Sequence, residues 1–337
     1  MALMSIAEAL RTAIRDEMRR DERVFCLGED IGIPGGFGGA FTVTLGLSDE
    51  FGHERILDTP ISEALIAGMA VGAAVCGLRP IADVQYGDFL FNMMDQLANQ
   101  AAKLRYMSGG TLSVPMVMRA PVGATGRGSQ HAQSLEAFFT HVPGLKVVAP
   151  ATAYDAKGLL TAAIRDDNPV LVFEHKLLYG SKGSRVEKGA LSPVGEVPEE
   201  DYIVPIGQGI IRRPGRDITI VANLLMLYRA LAAADRLAQK GIEAEVIDPR
   251  TLVPLDKGLI LDSLRKTGRL LIVEEDNLTN GWGAEIAALM ADEAFAWLDA
   301  PIKRLAAPDV PPPFAPILEQ TYLPSEQKIV DLALSMF

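Results

Sequence analysis

The sequence predicts an α/β protein of two doubly wound domains, and three observations carry that prediction. Short strand-like apolar runs alternate with helical stretches along the chain, which implies mostly parallel sheets covered by helices on both faces. The alternation fails once, between 181 and 214, where Gly, Ser, Pro and charged residues dominate. A length of 337 residues corresponds to about two domains at roughly 150 residues each. The expected division is a first domain over 1–180, a linker over 181–214 and a smaller second domain over 215–337.

Each element has a local reason. Ser5 followed by Glu8 is a capping box, and Ile6, Leu10, Ala13, Ile14 and Met18 recur at helical spacing behind it. A buried strand follows at 24–27. Then come an Ala/Gly-rich helix over 63–76, a strand at 81–84, a long helix over 89–107 and a strand at 115–118. Gly77 ends the first of these helices and Pro80 prevents its resumption. A strand at 147–149, a helix over 153–164 and a strand at 170–173 complete the first unit. Beyond the linker the pattern restarts with strands at 218–222, 244–247 and 270–274. Helices are expected over 226–239, 257–266 and 284–295. The Pro-rich stretch 307–316 should be extended, and it leads to a terminal helix over 325–336.

Composition narrows the function. The chain is 49% hydrophobic and 22% charged, and its 43 Asp and Glu against 32 Lys and Arg give a net charge of −11. Such a surface repels a phosphate backbone on average, and no Lys/Arg run interrupts it, so nucleic acid is not an expected partner. No run reaches the roughly 18 uninterrupted apolar residues of a membrane span, and the first residues do not read as a targeting segment. Cys26 and Cys76 both sit in apolar runs, where buried reduced thiols are expected, in keeping with a cytoplasmic setting.

In doubly wound domains ligands bind at the carboxyl ends of strands, so the loops there carry the information. In Asp58-Thr59-Pro60-Ile61-Ser62-Glu63, Ser62 can cap the following helix and Glu63 stands in its first turn, where the helix dipole favours a carboxylate. That alone explains a helix-start acid. The helix behind it, with Gly68, Gly72 and many alanines, reads as closely packed, and burial would raise the Glu63 pKa and suit it to sharing a proton with a ligand. In Gln85-Tyr86-Gly87-Asp88-Phe89 the local reading is a turn, with Asp88 capping and Phe89 in the core. The Gly-rich loop from Gly123 to His131 lacks a Gly-Lys-Ser/Thr ending and is a weak phosphate-loop signal, which leaves His131 as its most interesting residue. His53, His141 and His175 read as structural. No zinc spacing and no Gly-x-Ser-x-Gly elbow occurs, so the residues alone do not name a reaction.

At these same loops the sequence resembles the beta subunit of the thiamine-diphosphate-dependent decarboxylase component of 2-oxo acid dehydrogenase complexes, the pyruvate, branched-chain and acetoin group. The resemblance rests on six colinear segments. They are Leu27-Gly28-Glu29-Asp30, Asp58-Thr59-Pro60-Ile61-Ser62-Glu63 and Tyr106-Met107-Ser108-Gly109-Gly110. Gln130-His131-Ala132-Gln133-Ser134, Pro143-Gly144-Leu145-Lys146-Val147-Val148 and Ile247-Asp248-Pro249-Arg250-Thr251-Leu252-Val253-Pro254 follow. It implies a pyrimidine-binding parallel-sheet domain followed by a smaller transketolase C-terminal-like α/β domain.

The resemblance also assigns roles. Glu63 would contact the ring nitrogen of the cofactor's aminopyrimidine, Phe89 would pack on that ring, and Ile61 and Gln85 would line its pocket. His131 would stand near the reacting carbon and assist transfer to lipoamide. A structural potassium ion would take backbone carbonyls of Met116, Ala163, Ile164, Asp166 and Asn168. The chain has no Gly-Asp-Gly for magnesium and diphosphate, so the resemblance puts magnesium on a separate alpha subunit, in an assembly of two alpha and two beta chains. Further partners would be the lipoyl acyltransferase core and its lipoyl domain, the core docking near the carboxyl terminus. Gln85 and Phe138-Phe139 look branched-chain-like, while the loops also suit pyruvate or acetoin. Two other readings stand beside this one: the pyrimidine-binding half of a split transketolase, and an assembly subunit without chemistry.

Overall fold

The computed structural model describes residues 1–33, 35–180, 191 and 193–337. Its first helix starts as the capping box dictates: Ser5 Oγ accepts the Glu8 N–H at 3.3 Å, and the Glu8 carboxylate accepts the Ser5 N–H at 2.9 Å. This closes β1 (Ala2–Ser5) and opens α1 (Ile6–Arg20), which buries Ile6, Leu10, Ala13, Ile14 and Met18. Next come β2 (Val24–Gly28), α2 (Leu47–Phe51), β3 (Ile56–Asp58), α3 (Glu63–Val75) and β4 (Arg79–Asp83).

The long helix expected over 89–107 is segmented. A 3₁₀ stretch, Gly87–Met93, passes into a π-helical stretch, Asp95–Ala101, and then into α4 (Ala102–Met107). Leu90, Met93, Leu97 and Ala101 are buried throughout, so the apolar spacing stays helical while the hydrogen-bond register widens beneath it. The first domain continues with β5 (Val117–Val122), α5 (Glu136–Thr140), β6 (Lys146–Val148), α6 (Ala153–Arg165) and β7 (Val170–His175).

The segment 181–214, read as a linker, carries two strands, β8 (Val194–Val197) and β9 (Ile210–Arg213), while 181–190 and 192 lie outside the described residues. Then follow β10 (Ile218–Ala222), α7 (Leu224–Ala238), β11 (Ala244–Asp248), β12 (Thr251–Val253), α8 (Lys257–Thr267) and β13 (Leu270–Asn277). The chain ends with α9 (Trp282–Glu293), β14 (Lys303–Ala307), α10 (Pro316–Tyr322) and α11 (Glu326–Leu334). No helix among the described residues is long and apolar enough to cross a membrane.

Among the described residues the main sheets have seven strands, ordered β12-β6-β7-β5-β4-β2-β3, and five, ordered β14-β13-β10-β11-β9; β1 and β8 form a third pair. Both main sheets are parallel except for the antiparallel edge strands β12 and β9. Their central strands are buried on both faces, as a parallel sheet under two helical layers requires. Cys26 lies there, opposite Ile56 and Ile81, and burial pushes its thiol up to about 12. Cys76 departs from expectation: it is exposed, because it caps the end of α3 rather than facing the sheet.

Arg119, fully buried, ties the ends of three neighbouring strands. It donates to Glu174 at 2.8 and 2.6 Å and pairs with Asp83, while Tyr179 donates to Glu174 at 2.5 Å. The α3 helix is packed on one side only: Ile66, Ala67, Ala70, Val71 and Ala74 are buried, but Leu65 and Met69 are 50% and 41% exposed. The close packing expected of this helix is therefore met on one face, and in a single chain its Gly72 meets nothing on the outside.

The two sheets are locked together at their seam. Strand β12, from the second half of the chain, pairs antiparallel with β6 of the first, Thr251 opposite Val148. Asp155 on α6 has no exposure and receives two guanidiniums from beyond the seam. Arg212 donates to it and also to Asp248 at 2.8 Å, and Arg250 makes an ion contact at 2.6 Å whose N–H is not aimed along a hydrogen bond. On the other side of the seam Glu136 is buried against Asp276, which accepts the Ala137 N–H at 3.2 Å. Burial, reinforced by Asp276, Glu275 and Glu274, holds the Glu136 carboxyl well above the ordinary range, and burial raises Asp276 to about 6.

Two outcomes follow. Asp155→Ala takes away the carboxylate that Arg250 and Arg212 share, leaving Arg212 with Asp248 alone, and should lower unfolding free energy by roughly 3–5 kcal/mol, read by chemical denaturation. Glu136 and Asp276 hold protons more tightly folded than unfolded, so the stability they add is complete below the ordinary carboxylate range and is lost as pH rises through the raised values. Glu136→Gln should therefore match the parent near pH 4.5 and exceed it in melting temperature at pH 8. The gain has a ceiling of roughly 1.4 kcal/mol per pH unit, and a parallel pair of pH–stability curves would contradict it.

Candidate active site

The strand order turns back at β2: the chain moves outward to β3 and then returns past β2 to β4, so a crevice opens at the carboxyl ends of β2 and β4. Glu29 follows β2, Gln85 follows β4, and Glu63 begins the helix after β3. The Gln85 amide donates to the Glu29 carbonyl at 2.7 Å, joining two of these loops. Asp58 pins a third by accepting the Gly32 N–H at 2.8 Å. Ser62 makes no side-chain cap, contrary to expectation, because its backbone lies outside the usual cap conformation at φ −160°, ψ 88°.

The carboxylates meet in this crevice. Glu63 is half-buried rather than enclosed, and it accepts no hydrogen bond from the described residues. Glu29, to which the sequence assigned no role, is the carboxyl raised above its ordinary value, by burial first and by the charge of Glu63 second.

A ring cluster stands beside them. His131 lies edge-on to Tyr86 with centroids 5.1 Å apart and to Phe89 at 5.4 Å; Tyr86 and Phe89 are 6.0 Å apart. Tyr86, also missed from sequence, is the hub, with Lys176 and Arg127 within 5.1 and 5.6 Å of its ring. Phe89 thus belongs to the site and only its flank to the core. Asp88 does not cap: its Oδ1 accepts the Gln133 side-chain amide at 2.8 Å and backbone N–H at 3.2 Å, fastening the loop that carries His131. Ile61 is 82% exposed at the crevice mouth. Of the two adjacent phenylalanines, Phe138 is half-exposed and packs edge-on against Phe91 at 5.0 Å, whereas Phe139 is buried against Phe173 and is core.

The fit of the expected groups can be tested on these residues. An open carboxylate acceptor at Glu63, the raised carboxyl of Glu29 and the Phe89 face suit a flat nitrogen heterocycle. Among the described residues no three His, Cys, Asp or Glu side chains gather to hold a metal. Around the carboxyl end of α6, Val170 N–H donates to the Met116 carbonyl at 3.0 Å, and Arg79 donates to the Ile164 and Asp166 carbonyls at 2.8 and 2.7 Å. The Ala163 carbonyl accepts the Asp166 N–H at 3.2 Å, and the Asp166 carboxylate is turned to Lys146 and to Asn168. Each carbonyl keeps its second lone pair, so an oxygen-coordinated monovalent ion fits only beside the Arg79 cation.

Comparison with known proteins bears on the family and the fold. The family described as transketolase, pyrimidine binding domain, matches residues 2–182, and that described as transketolase, C-terminal domain, matches residues 207–329. The 2-oxoisovalerate dehydrogenase subunit beta of Bacillus subtilis (strain 168) is 46% identical over 331 residues, covering 98% of this chain and 97% of its own. The acetoin:2,6-dichlorophenolindophenol oxidoreductase subunit beta of the same organism is 47% identical over 346 residues, covering 99% and 97%. The pyruvate dehydrogenase E1 component subunit beta of Rhizobium meliloti (strain 1021) is 45% identical over 333 residues, covering 98% of this chain and 69% of its own. Among solved structures, a split gene transketolase described as an inactive beta4 tetramer superposes with a TM-score of 0.76 at 22% identity, covering 99% and 98%, a likeness of fold.

Proposed function

Because the chain belongs to the family of 2-oxo acid and acetoin dehydrogenase beta subunits, built from transketolase pyrimidine-binding and C-terminal domains, we propose that it supplies half of a thiamine-diphosphate site. The reaction is the oxidative decarboxylation of a 2-oxo acid, or the cleavage of acetoin, with the acyl group passed to lipoamide. The observation that carries it is the joining of Glu63, Glu29 and Gln85 with the Phe89–His131 rings at one sheet crevice. Identity of 45–47% to dehydrogenase beta subunits favours this reading over a split transketolase, to which the likeness is 22%.

The bound cofactor would supply a nucleophilic carbon that adds to the substrate carbonyl. This chain's residues serve it in separable ways. Glu63 would face the pyrimidine ring nitrogen with a carboxyl oxygen, the position from which an acid exchanges a proton with that nitrogen. Phe89 and Ile61 would present apolar surface to the ring, and the Gln85 amide fixes the Glu29 backbone. His131, edge-on to Tyr86 and Phe89, offers a ring nitrogen to the oxygen of the reacting centre. A partner alpha chain in a two-alpha, two-beta assembly supplies magnesium and covers the open side, a lipoyl domain of the acyltransferase core accepts the acyl group, and the enzyme works in the cytoplasm. A structural potassium ion at the end of α6 would use the second lone pairs of the Met116, Ala163, Ile164, Asp166 and Asn168 carbonyls.

The test is reconstitution with the alpha partner, followed by a panel of pyruvate, branched-chain oxo acids and acetoin. Glu63→Gln should still assemble and lose at least ~100-fold in turnover, the usual size of a lost proton-transfer group; undiminished turnover removes it from the mechanism. His131→Ala should slow acylation of a lipoyl domain more than it weakens cofactor binding, measured by stopped-flow transfer alongside titration calorimetry.

A further inference from the structure

The loop that carries His131 is held from across the domain seam. Its base is closed by the Gly123 N–H donating to the Gln133 carbonyl at 3.0 Å. Between those ends, the Ala124 N–H donates to Glu275 Oε1 at 2.6 Å and the Gly126 N–H donates to Glu319 Oε1 at 2.6 Å. Ser129 Oγ donates to the Pro312 carbonyl at 3.0 Å. Glu275 lies on β13 and Glu319 on α10, so both carboxylates come from the second domain, over 150 residues away in sequence.

Glu275 is itself fixed. Its Oε2 faces His175 Nε2 at 2.9 Å, and His175 Nδ1 accepts the Leu177 N–H at 3.1 Å, which makes Nε2 the donor to Glu275. Gly123 permits this approach: it sits at φ +95°, and a Cβ there would come within 2.1 Å of His175 Nε2. Between the two, Lys176 donates its side chain to the His131 carbonyl and its backbone N–H to the Val122 carbonyl at 3.1 Å. Burial alone would push the Glu275 carboxyl up, but His175, the Ala124 N–H and Arg229 hold it below its ordinary value, so it meets the loop as an anion.

We propose that Glu275 and Glu319 are positioning residues for His131, through which the second domain sets the geometry of acyl transfer rather than serving only as a docking body. The proposal rests on the role given to His131 above. Neither carboxylate touches the crevice; each acts by fixing a backbone amide upstream of the imidazole. Displacement of an aligned group by about 1 Å can cost roughly 100-fold in rate, and two charge-assisted bonds to one loop are enough to control such a displacement.

The test uses the complete reconstituted enzyme and two assays of the same protein: acylation of a lipoyl domain, and oxidation of substrate by the dye 2,6-dichlorophenolindophenol, which bypasses the lipoyl step. Glu319→Ala should lower the ratio of transfer to dye reduction by roughly 10- to 100-fold and speed hydrogen exchange at the 124–131 amides. Glu319→Gln keeps the acceptor oxygen and should recover most of both. Glu275→Gln cannot accept from Ala124 and His175 together and should resemble Glu319→Ala; because Glu275 is deeply buried, the half-buried Glu319 pair decides the matter if that variant does not fold. His131→Ala is the control. If it cripples transfer while Glu319→Ala leaves the ratio and the exchange unchanged, the inference falls alone. If His131→Ala itself leaves transfer intact, the role of His131 falls and the inference with it.

Discussion

The buried Asp155 carboxylate is the interaction on which the rest of the molecule depends. A carboxylate without exposure is costly unless cations meet it, and the cations here, Arg212 and Arg250, belong to the other half of the chain. Asp248 in turn neutralises Arg212, so two acids and two bases close on each other across the seam. Such a network tolerates one relative placement of the sheets, and β12 then continues the first sheet from the second domain. Every contact that reaches the His131 loop from α10 or β13 presupposes that placement.

The crevice is a product of the same constraint. Strand order alone brings Glu29, Gln85 and Glu63 together, since their loops leave neighbouring strands at one switch of direction. It does not bring His131, whose loop leaves β5 and would be free to swing. The ring contacts to Tyr86 and Phe89, the Asp88 bonds to Gln133 and the carboxylates of the second domain locate it. The chemistry-bearing side chains thus rest on parallel-sheet topology for one half of the site and on tertiary hydrogen bonds for the other.

This division explains what the sequence disclosed. The α/β class and most helices and central strands were legible because apolar periodicity is local: α1, α6, α7 and β10 follow directly from it. The short edge strands β1, β8, β9 and β12 were not, since each is defined by a partner tens to hundreds of residues away and its own pattern is weakly apolar. The same holds for residues. Glu63, Gln85, Phe89 and His131 came from motif resemblance, while the local patterns allowed a plain helix start or turn. Glu29 lay inside a matching motif without a role, and Tyr86 and Asp88 looked like turn residues. Glu275 and Glu319 sit in stretches with no motif at all, and only their contact with a distant loop distinguishes them. Cys76 was misread because an apolar run says nothing about which side of a helix end a residue leaves from.

The half-open α3 helix has a consequence for how the protein is made. Folding of one chain is first order, whereas covering Leu65, Met69 and the bare Gly72 surface with the alpha partner proposed above would be second order in concentration. The time a newly synthesised copy spends with that surface in water therefore lengthens as the partner becomes scarce. On that proposal, balanced synthesis of the two chains would be a condition for its survival, and an excess of this one would be the species that aggregation and proteolysis remove first.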